Sequence, residues 1–136
     1  MQIQIKRSGG GLTRLLFTRA IKRLDPIVHE LPKDICTLLK KGKQPSGAAQ
    51  PPNKLSTIRN KGHMIPGVDT GYLSTSNNWS INSMKDGWVV YPPKKREKAI
   101  KHLYPRGYVF LGFPKTWQTK FNQNIFRVLF RNNINL

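Results

Sequence analysis

Much of the usual equipment of enzyme chemistry is scarce in this chain of 136 residues, which has one cysteine, six carboxylates and three histidines. A lone Cys36 excludes an internal disulfide and a CxxC metal knuckle, and fits a reducing compartment. The histidines, His29, His63 and His102, lie 34 and 39 residues apart, so no metal-ligand spacing emerges and no metal or other cofactor is expected. Six acids in all leave little for paired acid–base work. A Walker loop, a dinucleotide-binding loop and internal repeats are all missing. No apolar run approaches the roughly 18–20 residues of a membrane span. The start, "MQIQIKRSGGG", lacks the apolar core of a signal peptide. The expectation is a soluble, non-enzymatic protein that is not secreted through a signal peptide and touches no membrane.

Positive charge is abundant instead. A net charge of +18 points to a polyanion nearby: DNA, RNA, acidic lipid or an acidic protein surface. The cations are spread evenly, 13 before residue 68 and 11 after it, rather than gathered in one block. The hydrophobic fraction of 38% is lean beside the roughly 45–50% of ordinary globules with glycine counted. One domain with a modest core, completing its burial against neighbours, fits both numbers.

Along the chain, "QIQIK" at 2–6 alternates like a strand. Leu12, Leu15, Leu16, Leu24, Ile27 and Val28 recur at helical spacing, but Pro26 and Pro32 interrupt. This predicts a helix at about 11–25 and a second around 32–41, with Pro32 in its first turn and Gly42 at its end. Residues 42–67 hold four prolines, four glycines and unopposed cations. They read as an extended basic loop, too polar for core and able to reach a neighbour. "YLSTSNNWSINS" and "GWVVYP" flank an Asp-Gly turn signal, a hairpin with an aromatic face. A basic connection with room for a helical turn follows at 92–101, then "YVFLGF" at 108–113 as a buried strand. A last helix starts at Pro114 and carries Trp117, Phe121, Ile125, Val128 and Leu129 to about Arg131. The fold class is α+β: a small antiparallel sheet packed by an N-terminal and a C-terminal helix, with a long central loop, in a single domain spanning 1–136.

The stretch "GVDTGYLSTSNNWS" at 67–80 is the natural place to look for chemistry. Serine or threonine nucleophiles need a base within reach, and no histidine stands in a recognised pairing. Asp69, Thr70, Ser74 and Ser76 read better as turn residues, with Gly71 free to adopt positive φ and Leu73 supplying an early packed side chain. "SGGG" at 8–11 could hold a phosphate at a helix start, although a hinge explains it as well. "KKREK" at 94–98 and the loop at 42–61 are the basic stretches that could meet nucleic acid or simply be solvated. Trp79, Trp88, Phe113, Trp117 and Phe121 sit at strand or helix periods, which suits core rather than base stacking.

Two separated stretches resemble a known family. "PGVDTGYLSTS" is similar to the P-x-D-T-G-x-L-x-x-S stretch of small phage virion-morphogenesis proteins, the tail-completion and head–tail-joining proteins grouped as gene-ten-like and Mu G-like. "YPRGYVFLGFPKTWQTKFNQNIFRVL" resembles their P-x-R-x-F-L-G ending and terminal helix. Where the family commonly has a Tyr-Ala pair and a His-Gln or Glu near glycine, this chain has "VVYPP" and "AIKHLYPRG". The resemblance implies structural roles for Asp69, Thr70, Gly71, Leu73, Ser76, Arg106, Phe110, Leu111 and Gly112. It implies a non-enzymatic ring subunit, commonly hexameric, in the virion neck or upper tail, assembled in the host cytoplasm. Its partners would be itself, the adjoining portal or connector and tail-tube proteins, and in passing the genomic DNA. Lys43, Lys54, Arg59, Lys61, Lys94, Lys95 and Arg96 would face that DNA or an acidic neighbour. The alternative is a basic RNA-binding protein such as a ribosomal protein.

Overall fold

Leu31, Ile35 and Leu39, with Cys36 beside them, recur at three and four and so share one side of a helix. The computed structural model describes residues 2–6, 23–51, 73–84 and 87–127. Helical backbone covers residues 23–28 (α1) and then Leu31–Lys40 (α2). Pro32 sits in the first turn of α2. At the other end Gly42, with φ of 71°, lets its own N–H reach Leu39 O while the Lys43 N–H reaches Leu38 O, both at 3.0 Å. That is a Schellman cap, which satisfies carbonyls the helix leaves open.

The helix expected to stop at 25 instead continues through Pro26 to 28. A proline gives up its own N–H bond and its ring crowds the carbonyl of the preceding turn, but the bond from His29 N to Asp25 O (3.1 Å) is intact. Burial of Leu24 and Val28 on the core side offsets that loss. The earlier part of this predicted helix, residues 11–22, lies outside the described residues, as does the stretch beyond 127 in the last helix.

Strand β1, Ile3–Lys6, is joined by β2, Ser80–Met84, and β3, Gly87–Tyr91, in an antiparallel sheet of order β1-β3-β2. The hairpin is present, and β1, the strand expected at 2–6, completes a sheet of three strands. Register places Ile3, Val90 and Ile81 in one row and Ile5, Trp88 and Ser83 in the next. Alternation then puts both rows on the same face. Strand β2 starts later than the sequence pattern implied. Ser76–Asn78 form a 3₁₀ turn, because this small polar run closes its backbone locally: Asn78 N reaches Thr75 O and Trp79 N reaches Ser76 O, both at 3.1 Å.

Beyond β3 come a 3₁₀ turn at Lys94–Arg96, helix α3 at Glu97–Leu103, and a second turn at Tyr104–Arg106. Gly107, at φ of 92°, ends that turn in the left-handed region. The final helix, α4, spans Lys115–Phe126 with Pro114 ahead of it, as expected. The core unites Leu24, Val28 and the inner side of α2 with Ile3, Trp88 and Val90 of the sheet, closed by Ile100, Phe110 and Trp117. Rings of Phe113, Trp117 and Phe121 stack along α4 at 5.5 and 4.8 Å, and Phe121 meets Trp88 edge-on. The architecture is α+β, with the last helix against the sheet.

One expected strand is not there. Residues 108–113 are irregular: Phe110 is buried, Tyr108 and Leu111 are half-buried, and no strand backbone lies beside them among the described residues. A side chain takes the place of a partner strand. The Gln50 carbonyl accepts from Val109 N at 3.0 Å and its amide donates to Val109 O. A carboxamide presents an N–H donor and its C=O acceptor side by side along one edge, so it completes a residue that a ladder would otherwise complete. Gln50→Ala removes both partners at once. Because each orphaned group costs about 1–3 kcal/mol, the variant should lose roughly 2–4 kcal/mol in a urea titration. A midpoint unchanged from the parent protein would show that water replaces the amide without loss.

Candidate functional site

One residue from each of the two stretches that resemble the virion family, Leu73 and Phe110, lies in the hydrophobic core, together with Trp79. The Leu73 carbonyl is its polar pivot: it accepts from the indole Nε1 of Trp79 at 2.9 Å and from the Cys36 thiol at 3.6 Å. Such bonds explain why a buried turn can follow directly on a polar run. Ser74 is buried as well, and Ser76 is half-buried in the 3₁₀ turn. Asp69, Thr70 and Gly71 lie outside the described residues.

The second stretch is braced by the first part of the basic loop. Gly112 lies against Pro45, so close that a Cβ there would sit 3.1 Å from the proline ring. Gln50 holds Val109, and Pro51 approaches Gly107. Residues 42–51 therefore pack on their own domain, with Pro45 and Gln50 buried, rather than standing away to reach a neighbour. Lys43 stays exposed, and its backbone pairs with Ala49 in an isolated bridge. Lys54, Arg59 and Lys61 fall outside the described residues.

The remaining predicted cations lie in the Lys94–Arg96 turn. Lys94 and Lys95 are exposed, Arg96 is half-buried, and Arg106 is exposed at the end of the Tyr104–Arg106 turn. Arg106 thus lies at the surface, whereas Phe110, four residues on, is in the core.

Nothing in the spacing of the sequence singled out Asp25, yet it ties helix to sheet. Its Oδ1 accepts from Trp88 Nε1 at 3.0 Å and from Ser83 Oγ at 3.3 Å, while Oδ2 lies 3.4 Å from His29 Nδ1. His29 and Ser76 also share the wall of an open cleft of about 380 Å³ with Pro32, Lys33, Asn77, Trp79 and Ile81. An Asp–His pair beside a serine invites comparison with a nucleophilic triad. No hydrogen bond joins Ser76 to His29 among the described residues, so the chain from acid to base stops short of a nucleophile. The described residues also contain no group of three His, Cys, Asp or Glu placed to hold a metal ion. Among them no helix is long and apolar enough to cross a membrane.

Cys36 has the chemistry of a core residue. Burial pushes its thiol up to about 11, opposed in part by the Lys40 ammonium. At pH 8 only about one thiol in a thousand is then thiolate, the reactive form. Disulfide reagents should modify native protein more than about a hundredfold more slowly than denatured protein. Equal rates would place Cys36 outside the core.

No family profile, curated protein or solved structure matches this chain.

Proposed function

We propose that the chain is a structural ring subunit of a phage neck or upper tail, a tail terminator or head–tail connector through which DNA passes. The observation that carries the reading is that Leu73 and Phe110, each inside one of the two family-like stretches, are both buried in the hydrophobic core. Between them run the hairpin and the basic crossover, in the order the resemblance implies.

Surface chemistry supports an assembling subunit. The outer strand β2 reads Ser-Ile-Asn-Ser-Met, without charge or proline, in a chain of net charge +18. Monomeric proteins usually blunt such an edge with lysine, proline or a bulge. Strands β1 and β2 both flank β3 and run parallel to each other, so pairing β2 of one copy with β1 of the next repeats one contact in one rotational sense. Repetition of a head-to-tail contact closes a ring. Apolar Phe126, 64% exposed, and half-buried Phe121 and Ile125 add surface on α4.

The test is the mass of the purified protein by light scattering and its outline by electron microscopy, alone and with the adjoining portal and tail proteins. A discrete closed ring, free or formed on those partners, is expected. Asn82→Lys, which places charge in the β2 edge, should abolish the ring while leaving the free energy of unfolding within about 0.5 kcal/mol of the parent. A monomer that never assembles, and that binds RNA with steep salt dependence, would transfer the protein to the RNA-binding class.

A further inference from the structure

We propose that the outer surface of the Lys94–Arg106 segment is a binding surface for the phosphate backbone of duplex DNA. From Lys94 to Arg106 the chain places Lys94, Lys95, Arg96, Lys98, Lys101 and Arg106 against Glu97 alone, six cations to one acid. The fold turns that composition into a surface. Ile100 is buried and Leu103 half-buried, so α3 spends its apolar side on the core and turns Lys98 and Lys101 outward. The 3₁₀ turns at its two ends continue the display with Lys94 and Lys95 on one side and Arg106 on the other. The single acid is already engaged, with Glu97 Oε1 3.4 Å from Lys101 Nζ one turn on. An exposed pair of that kind is worth well under about 1 kcal/mol and exchanges readily for phosphate.

The chemistry of the surface selects among polyanions. Stable anchoring on a lipid headgroup layer combines cations with an apolar side or chain that sinks into the membrane, and on α3 the apolar side faces the core. A protein interface would need an apolar centre ringed by polar groups, and here Tyr104, 57% exposed, is the lone large apolar group among the cations. Single-stranded nucleic acid is gripped by a succession of large aromatic platforms, and this segment exposes Tyr104 and the smaller ring of His102. What remains is backbone contact that reads no bases, the sequence-independent mode of duplex binding. Lysines at the surface are also point charges without the planar fork of arginine, which suits contact that must let go as DNA passes. The choice of duplex DNA as the polyanion rests on the neck-ring reading; the charged surface itself does not.

The experiment compares full-length protein with two triple variants, using a fluorescent DNA duplex of random sequence and an RNA hairpin across 0.05–0.3 M salt. Lys94→Gln, Lys98→Gln and Arg106→Gln together remove three surface cations. Lys33→Gln, Lys40→Gln and Lys41→Gln remove three exposed cations from α2 and the residue after it. Each phosphate contact contributes about 0.9 to the slope of log K against log salt, so the first variant should lose about 2.7 from the slope. Near 0.1 M salt that is roughly an eightfold loss of affinity per cation removed. The α2 variant should keep the slope of the parent. Equal losses in both variants, or tighter binding to the RNA hairpin, would overturn the proposal. The oligomeric mass is recorded on the same samples. A ring that holds no DNA defeats this proposal and leaves the ring reading standing, whereas absence of both defeats the two together.

Discussion

Gly87→Ala should detach β1 from the sheet. Gly87 opens β3 opposite Lys6, and a Cβ built there would overlap the carbonyl oxygen of Ile5. The obstruction is backbone, so no rotamer change relieves it. Either the Lys6–Gly87 end of the ladder parts or β1 shifts register, and a shift by one residue turns Ile3 and Ile5 away from the core. Burying a side chain of that size is worth about 1.5–3 kcal/mol. With two of them at stake, the variant should lose about 3 kcal/mol or more in denaturant titration, together with hydrogen-exchange protection at residues 3–6. Protection there matching the parent protein would show that the two strands separate enough to admit a methyl group. The glycine thus has a second reason to be present. The Asp-Gly pair signals the hairpin, and the same residue admits the neighbouring strand.

Local chemistry made much of this legible in advance. Helix α2 was readable because Leu31, Ile35 and Leu39 mark its face, Pro32 its start and Gly42 its end, all within a dozen residues. The hairpin was readable because its turn residues and its alternating Trp88 and Val90 lie close together in sequence. What escaped depends on contacts between distant residues. A short apolar run such as 108–113 has the composition of a buried strand, and periodicity alone cannot say what will satisfy its backbone. Gln50, 59 residues away, does so. The loop at 42–67, of which 42–51 is described, was read as too polar for core because it is rich in proline, glycine and unopposed cations. Yet a proline carries no N–H, so burying Pro45 leaves no backbone donor behind, and its ring can fill space beside Gly112.

The candidate site divides in the same way. Leu73 and Phe110 were recognisable from short motifs, and both lie in the core. Arg106, grouped with them by the same resemblance, is at the surface and belongs with the cations around α3. A one-dimensional motif places residues in order but does not distinguish those that face inward from those that face out. Here a left-handed glycine, Gly107, separates the two: the chain leaves the exposed turn there and enters the core with Tyr108 and Phe110.

Trp88 and Asp25 should prove strongly coupled, because neither is complete without the other. Trp88 is fully buried at the centre of the sheet, and its indole N–H has Asp25 Oδ1 as an acceptor at 3.0 Å. Truncation to Ala removes one of the three tryptophans of the core, and such losses run to about 3–5 kcal/mol. For a lean core this should leave the protein largely unfolded at ambient temperature. Trp88→Phe keeps most of the ring volume while deleting the donor, and Asp25→Ala deletes the acceptor while leaving the indole in place. A hydrogen bond to a charged group contributes about 1.5–3 kcal/mol. Each single variant should therefore lose about 2 kcal/mol, and the double variant should lose less than their sum by about 1–2 kcal/mol. The Ser83 hydroxyl, which also donates to Asp25 Oδ1, keeps the carboxylate partly satisfied in Trp88→Phe and makes that the milder change. Strict additivity across the cycle would mean that the α1–sheet junction is held by apolar packing alone, with the Asp25 carboxylate a bystander in water.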